Sequence, residues 1–181
     1  MNKPAFTSEW NHLHSRSEFY WHLLKTLPEE VLKHTHVPGQ WSLLQVMEHL
    51  AGVEAASLQY LLKKNYSPLS SKNYLPQGVR SLLLRLALKS PLRFKVPPVA
   101  ALQPPNTTPP AVLLRQWQGI RNKLGRYLEE APADVVNKPM FRHPRAGALS
   151  LQQMLTFITD HMDHHRKQAK SLLKAQQSNN L

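Results

Sequence analysis

The sequence predicts an all-α protein, a four-helix bundle, on three observations. Apolar residues recur at three- and four-residue spacing in four separate stretches, the period of an amphipathic helix. Alternating runs of the kind that mark a half-buried strand are almost absent. The second and third helical stretches are separated by roughly forty proline-bearing residues, where helix connections usually take only a few.

The first helix is expected after a Thr7/Ser8 cap, with Trp10, Leu13, Tyr20, Leu24 and Leu27 on one face and Pro28 closing it. The second follows "PGQWS", where Ser42 is the candidate cap, and runs to about Lys64. The third opens at "TTPP", since proline tolerates the first helical positions, where its missing N–H is not needed. Leu113, Trp117, Ile120, Leu124 and Tyr127 line its face until Pro132. The fourth follows Ser150 and runs to about Ala175, leaving "QQSNNL" as a frayed tail.

The long connection, from about Tyr66 to Thr108, carries Pro68, Pro76, Pro91, Pro97, Pro98, Pro104 and Pro105, with a short helix expected near Gly78–Lys89. Adjacent antiparallel helices do not need so much chain, whereas parallel ones do. The expected topology is therefore up-down-down-up, with this Pro-rich crossover between helices two and three. The length of 181 residues suits one domain spanning 1–181.

Composition narrows the chemistry. There is no cysteine, which excludes disulfides, a thiolate nucleophile and any cysteine-based metal site, and which fits a reducing, cytoplasmic setting. The opening "MNKPAFTSEW" lacks the apolar core of a secretory signal, and "SLLLRLALKSPL" is too short and too charged to be a transmembrane segment. The formal net charge is +12, with a modest basic concentration at Arg80, Arg85, Lys89, Arg93 and Lys95. No nucleic-acid motif accompanies it, so a solvated basic surface is the favoured reading and nucleic acid is not the expected partner.

The segment "TFITDHMDHHRKQAK" places His161, His164 and His165 on the fourth helix. The apolar positions there are Leu151, Leu155, Ile158, Met162, Ala169 and Leu172; His165 falls in that series and His161 sits beside it. An i, i+4 pair is offset by about 40° and about 6 Å, so both imidazoles can converge on one point. His164 lies about 100° from His165, at the edge of the face, and is the second choice. On the second helix Val46, His49, Val53, Ala56 and Tyr60 form a stripe that supplies a third histidine.

A lone histidine in an apolar stripe is more often a satisfied core residue than a ligand. Three of them, two at metal-binding spacing, point to a divalent metal (zinc, nickel or iron) on His49, His161 and His165, with positions left open for water or substrate. His12, His14, His22, His34 and His36 show no matched spacing and read as surface. His143, in "FRHPRAG", belongs to the turn before the fourth helix, near the expected pocket mouth.

Carboxylates are sparse around this set. The stretch HMDHH shares only its histidine spacing with the zincin HExxH, and Met162 stands where that motif keeps its glutamate, so a metalloprotease reading fails. Asp160 and Asp163 point away from the histidine face. Glu54 offers a way to orient an imidazole, although an ordinary surface carboxylate is the commoner role. No residue is identifiable as the general base.

With these motifs in view, the chain resembles the DinB-like superfamily, the DinB/YfiT type of metalloenzyme, over nearly its whole length. "WSLLQVMEHL" matches the Trp-Ser opening of helix two and its histidine. "FKVPPVAALQPP" matches the proline-bearing crossing, and "HPRAGALSLQQMLTFITDHMDHHRKQ" matches the His-Pro…Gly turn and the closing H-x-x-x-H-x-x-Q helix. The resemblance implies the same bundle, with His49, His161 and His165 as metal ligands. It also implies a small-molecule substrate and a low-molecular-weight thiol cosubstrate, as in the thiol-dependent S-transferases of that superfamily; a hydrolase is the other enzymatic class, and a homodimer is compatible with the sequence. The chain departs from the pattern at Arg145, commonly apolar or aromatic, and in its positive charge.

The expected mechanism is Lewis-acid activation of water or a thiol. Trp41 is read either as a pocket wall or as simple core, and His143 or Arg145 as a contact for an anionic cosubstrate. The competing reading is a non-catalytic basic module that uses the Arg80–Lys95 surface on nucleic acid or an anionic membrane.

Overall fold

The computed structural model describes residues 4–35, 37–69 and 104–178. The expected helix at Gly78–Lys89, most of the crossing and the Arg80–Lys95 cluster lie outside them, as does His36. Among the described residues, four long helices carry the fold: α1 (Pro4–Thr26), α3 (Leu43–Lys64), α4 (Pro110–Glu130) and α5 (Leu151–Ser178). A short α2 (Glu29–Lys33) follows α1, and a two-stranded hairpin of β1 (Phe141–His143) and β2 (Gly147–Leu149) precedes α5. Among the described residues, no helix is long and apolar enough to cross a membrane.

Helix starts follow local chemistry. Ser42 and Gln45 form a capping box at α3: the Ser42 hydroxyl accepts from Gln45 N, and Gln45 Oε1 accepts from Ser42 N. The same Ser-x-x-Gln pattern opens α5, with Ser150 and Gln153 exchanging equivalent bonds. Both helices that carry the clustered histidines thus begin at a sequence-specified residue. The first helix starts earlier than the Thr7/Ser8 cap predicts. Pro4 is pre-set for the first turn, Phe6 is buried, and Gln152 Nε2 donates to Ala5 O at 2.7 Å. At the other end α5 continues through Ser178, past the expected end at Ala175, and Gln176 Nε2 donates to Val31 O at 2.7 Å.

One apolar core joins these elements. It contains Leu13, Tyr20 and Leu24 from α1, Leu44, Met47 and Leu58 from α3, Leu113, Trp117 and Leu124 from α4, and Leu155, Ile158 and Met162 from α5. α1 packs on α5 and α4, and α3 packs on α4 and α5. Glu48 of α3 accepts from Asn106 N at 2.7 Å and Thr108 N at 3.0 Å in the segment leading into α4, Glu54 accepts from Trp117 Nε1 of α4 at 2.9 Å, and Tyr66, just after α3, donates its Oη to Tyr127 O at 2.8 Å. Across α1 and α5, Arg16 pairs with Asp163 at 2.8 Å, and Tyr20 Oη donates to Met162 O at 2.6 Å.

The stripe on α3 is less deeply set than its periodicity suggests. Val46 and His49 are buried, but Val53, Ala56 and Tyr60 are half-buried, and the deepest face runs through Met47, Leu50, Glu54, Leu58 and Leu61. His49 therefore sits where the buried face gives way to an open edge. The hairpin, for which the sequence shows no strand signal, pairs Phe141 with Leu149, Arg142 with Ala148 and His143 with Gly147. Gly147 has φ 73, a left-handed conformation that side-chain-bearing residues rarely adopt.

Candidate metal centre

His49 from α3 and His161 and His165 from α5 come together between the two helices. His161 Nε2 lies 3.4 Å from His49 Nε2 and 3.1 Å from His165 Nε2. One ligand nitrogen from each of the three residues falls within 4.8 Å of the others. Two nitrogens on a tetrahedral ion at about 2.0–2.1 Å would be about 3.3 Å apart, which is the spacing seen here. The group could hold a metal ion.

The protonation of the rings matches that use. His165 Nδ1 meets Gln168 Oε1 at 2.9 Å. An amide oxygen only accepts, so Nδ1 carries the proton and the Nε2 lone pair points into the cluster. Burial, followed by the neighbouring His49, holds the His165 pKa down to about 3. His161 is also held well below the ordinary histidine range, first by burial and then by His165 and His49. Part of the His161 side chain reaches the surface, but its Nδ1 is buried and has no hydrogen-bond partner among the described residues. Two imidazoles held neutral, with one lone pair fixed inward, are the donor chemistry that a divalent ion takes.

Aromatic groups surround the cluster. Trp41 lies nearly parallel to the His165 ring, centroids 6.2 Å apart, and 5.0 Å from the His49 ring. Phe157 stacks on His161 at 5.7 Å from one turn earlier on α5. The edge of the His143 ring meets Phe157 at 4.5 Å. His143 has a turn to hold: its Nδ1 accepts from Arg145 N at 3.2 Å and Ala146 N at 3.0 Å. Burial, and secondarily the Arg145 charge, lower its pKa to about 4. Arg145 is exposed in that turn. His164 is half-buried beside the cluster, its ring 5.2 Å from that of His165.

Glu54 is not the surface carboxylate its type suggests. It is 0% exposed, and its oxygens accept from Trp117 Nε1 and from Nε and Nη2 of Arg121. Its hydrogen bonds thus run to α4 and away from the histidines. A signal was present in the spacing: Glu54 stands between Ala51 and Leu58, and Arg121 between Trp117 and Leu124, each on an apolar face. Sequence reasoning also left Gln168 without a role, although it closes the H-x-x-x-H-x-x-Q motif, and it overlooked Phe157. His12, His14, His22 and His34 are exposed, as expected.

The helical fold and the three-histidine cluster agree with comparison against known families. A family model of the DinB superfamily matches residues 13–169, and the chain belongs to that superfamily. No curated protein matches it in sequence.

Proposed function

We propose that the chain is a metal-dependent enzyme in which His49, His161 and His165 hold one divalent ion, and that it acts on a small molecule as a thiol-dependent transferase or a hydrolase. The observation that carries this reading is the convergence of the His49 and His165 Nε2 atoms on that of His161, at 3.4 and 3.1 Å. Zinc, nickel and ferrous iron all accept imidazole donors, and a three-histidine set leaves positions open. A bound ion would supply Lewis acidity, lowering the pKa of a water or thiol brought to it.

The chain's own residues do the rest. Gln168 fixes which nitrogen of His165 faces inward. Trp41 and Phe157 cover the His165 and His161 rings with apolar surface, which favours their neutral form and limits water. Arg145, exposed beside His143, supplies a positive charge for an anionic cosubstrate. Among the described residues, the cluster that could hold the ion consists of histidines alone.

The scaffold we propose for this site is a single up-down-down-up bundle over residues 1–181. It is supported by the order of contacts: 48 and 54 of α3 and 66 just beyond it meet 106, ahead of α4, and 117 and 127 of α4 in ascending order. Residue 5 near the start of α1 meets 152 near the start of α5 and residues 16 and 20 meet 163 and 162 further along, whereas 41 and 49 meet 165 and 161 in descending order. Reconstitution tests the functional reading. Chelator-stripped protein is reloaded with zinc, nickel or ferrous iron and assayed for thiol conjugation to 1-chloro-2,4-dinitrobenzene and for hydrolysis of p-nitrophenyl acetate. Activity that returns with one metal and is absent in His165→Ala supports it; activity indifferent to metal and to His165 contradicts it.

A further inference from the structure

Strand β1 alternates, so Phe141 and His143 share the face that turns to α5, while Arg142 takes the exposed one. Phe141 stacks on Phe157 at 6.4 Å, and the His143 ring stands at 69° to Phe157 with centroids 4.5 Å apart. Phe157 stacks in turn on His161, one helical turn further along. His143 is thus one ring removed from the histidine centre, near enough for its charge to be felt at His161. It is not a member of the group that could hold the ion.

The turn decides where the proton of this ring sits. His143 Nδ1 accepts from Arg145 N at 3.2 Å and from Ala146 N at 3.0 Å. A nitrogen that accepts from N–H groups holds no proton, so the neutral ring carries its proton on Nε2. Among the described residues nothing accepts from Nε2, and it is not one of the sealed, unpaired atoms that Trp21 and Tyr127 carry. The side chain is half-buried. Burial, and then the Arg145 charge, lower its pKa to about 4, so the ring stays neutral near neutral pH. A neutral N–H donates to oxygen without offsetting a charge, and the apolar neighbour Phe157 disfavours a bare anion. The acceptor that fits is an uncharged carbonyl oxygen, which a neutral imidazole can polarise.

We propose that His143 is a specificity-determining residue that donates from Nε2 to the carbonyl oxygen of an uncharged ketone, ester or amide beside the histidine centre. The reaction of that carbonyl rests on the metal-dependent reading; the hydrogen bond does not. Full-length protein labelled with ¹⁵N-histidine, both metal-free and zinc-loaded, is titrated with acetophenone and with ethylbenzene, which is similar in size and lacks the oxygen. Long-range ¹H–¹⁵N spectra should place the His143 proton on Nε2. Acetophenone should move that resonance saturably and bind about tenfold more tightly than ethylbenzene. His143→Asn keeps an acceptor for the turn but falls short of Nε2, and should bind acetophenone about tenfold more weakly at an unchanged unfolding temperature. His143→Gln restores a donor at that reach and should bind within about threefold of the wild type. A chain that takes no zinc yet shows the Nε2 response supports the hydrogen bond and contradicts the metal reading alone. A proton on Nδ1, equal binding of the two probes, or undiminished binding to His143→Asn would overturn the proposal.

Discussion

Gln168 accepts a hydrogen bond from His165 Nδ1 at 2.9 Å, one turn along α5, and so determines which ring nitrogen of His165 faces His161. Outer partners of this kind typically account for 10–100-fold of metal affinity. Gln168→Ala is therefore expected to weaken zinc binding by about 10–100-fold, with little change in unfolding temperature, while Gln168→Glu, which keeps an acceptor, retains most of the affinity. Titration calorimetry on the three proteins checks this. Equal affinities would show that the bond does not orient the ligand.

The depressed histidines give metal-free protein a signed pH dependence. His143 and His165 have folded-state values of about 4 and about 3, both below the ordinary 6.5. The unfolded chain thus binds more protons as pH falls below 6.5. Stability is intact above that pH and is lost progressively toward pH 4, by at most about 3 kcal/mol for His143. Urea midpoints of the stripped protein should fall from pH 7 to 4.5, and His143→Gln should flatten the slope. A midpoint that rises on acidification, or a slope the variant leaves unchanged, would contradict the assignment.

The Glu54–Arg121 pair should matter to folding and not to metal binding. Its side chains are 0% and 2% exposed, so removing one partner strands a buried charge. Glu54→Ala is expected to cost about 3–5 kcal/mol, and the double variant Glu54→Leu/Arg121→Met should recover much of that loss. Chemical denaturation measures both. Metal stoichiometry per folded chain should match the wild type, since Glu54's oxygens are taken by Trp117 and Arg121.

Much of this arrangement was legible because the long helices bury regular stripes. Leu151, Leu155, Ile158, Met162, Ala169 and Leu172 are all buried, and the same periodicity singled out His165 and its neighbour His161. Asp163 turned away from the cluster as its angle required, to Arg16. Short elements escaped for want of a period. The five residues of α2 make little more than one turn, and each strand of the hairpin has three residues. Pro28 reads as the stop of α1, yet it also leads directly into α2. Glu54 and Arg121 were missed for a different reason: a carboxylate looks solvated until its partner, 67 positions away, is placed beside it.

The central claim is that the three histidines converge in order to hold one ion. It is tested most directly by elemental analysis of untagged protein, purified without an immobilised-metal column, beside His49→Ala prepared identically. The account expects about one zinc, nickel or iron per wild-type chain, and a variant that stays folded on its apolar core but retains almost none. A wild type that neither carries nor takes up any of these ions, with a variant merely less stable by about 1–3 kcal/mol, would show the imidazoles to be hydrogen-bonded core residues and contradict the claim.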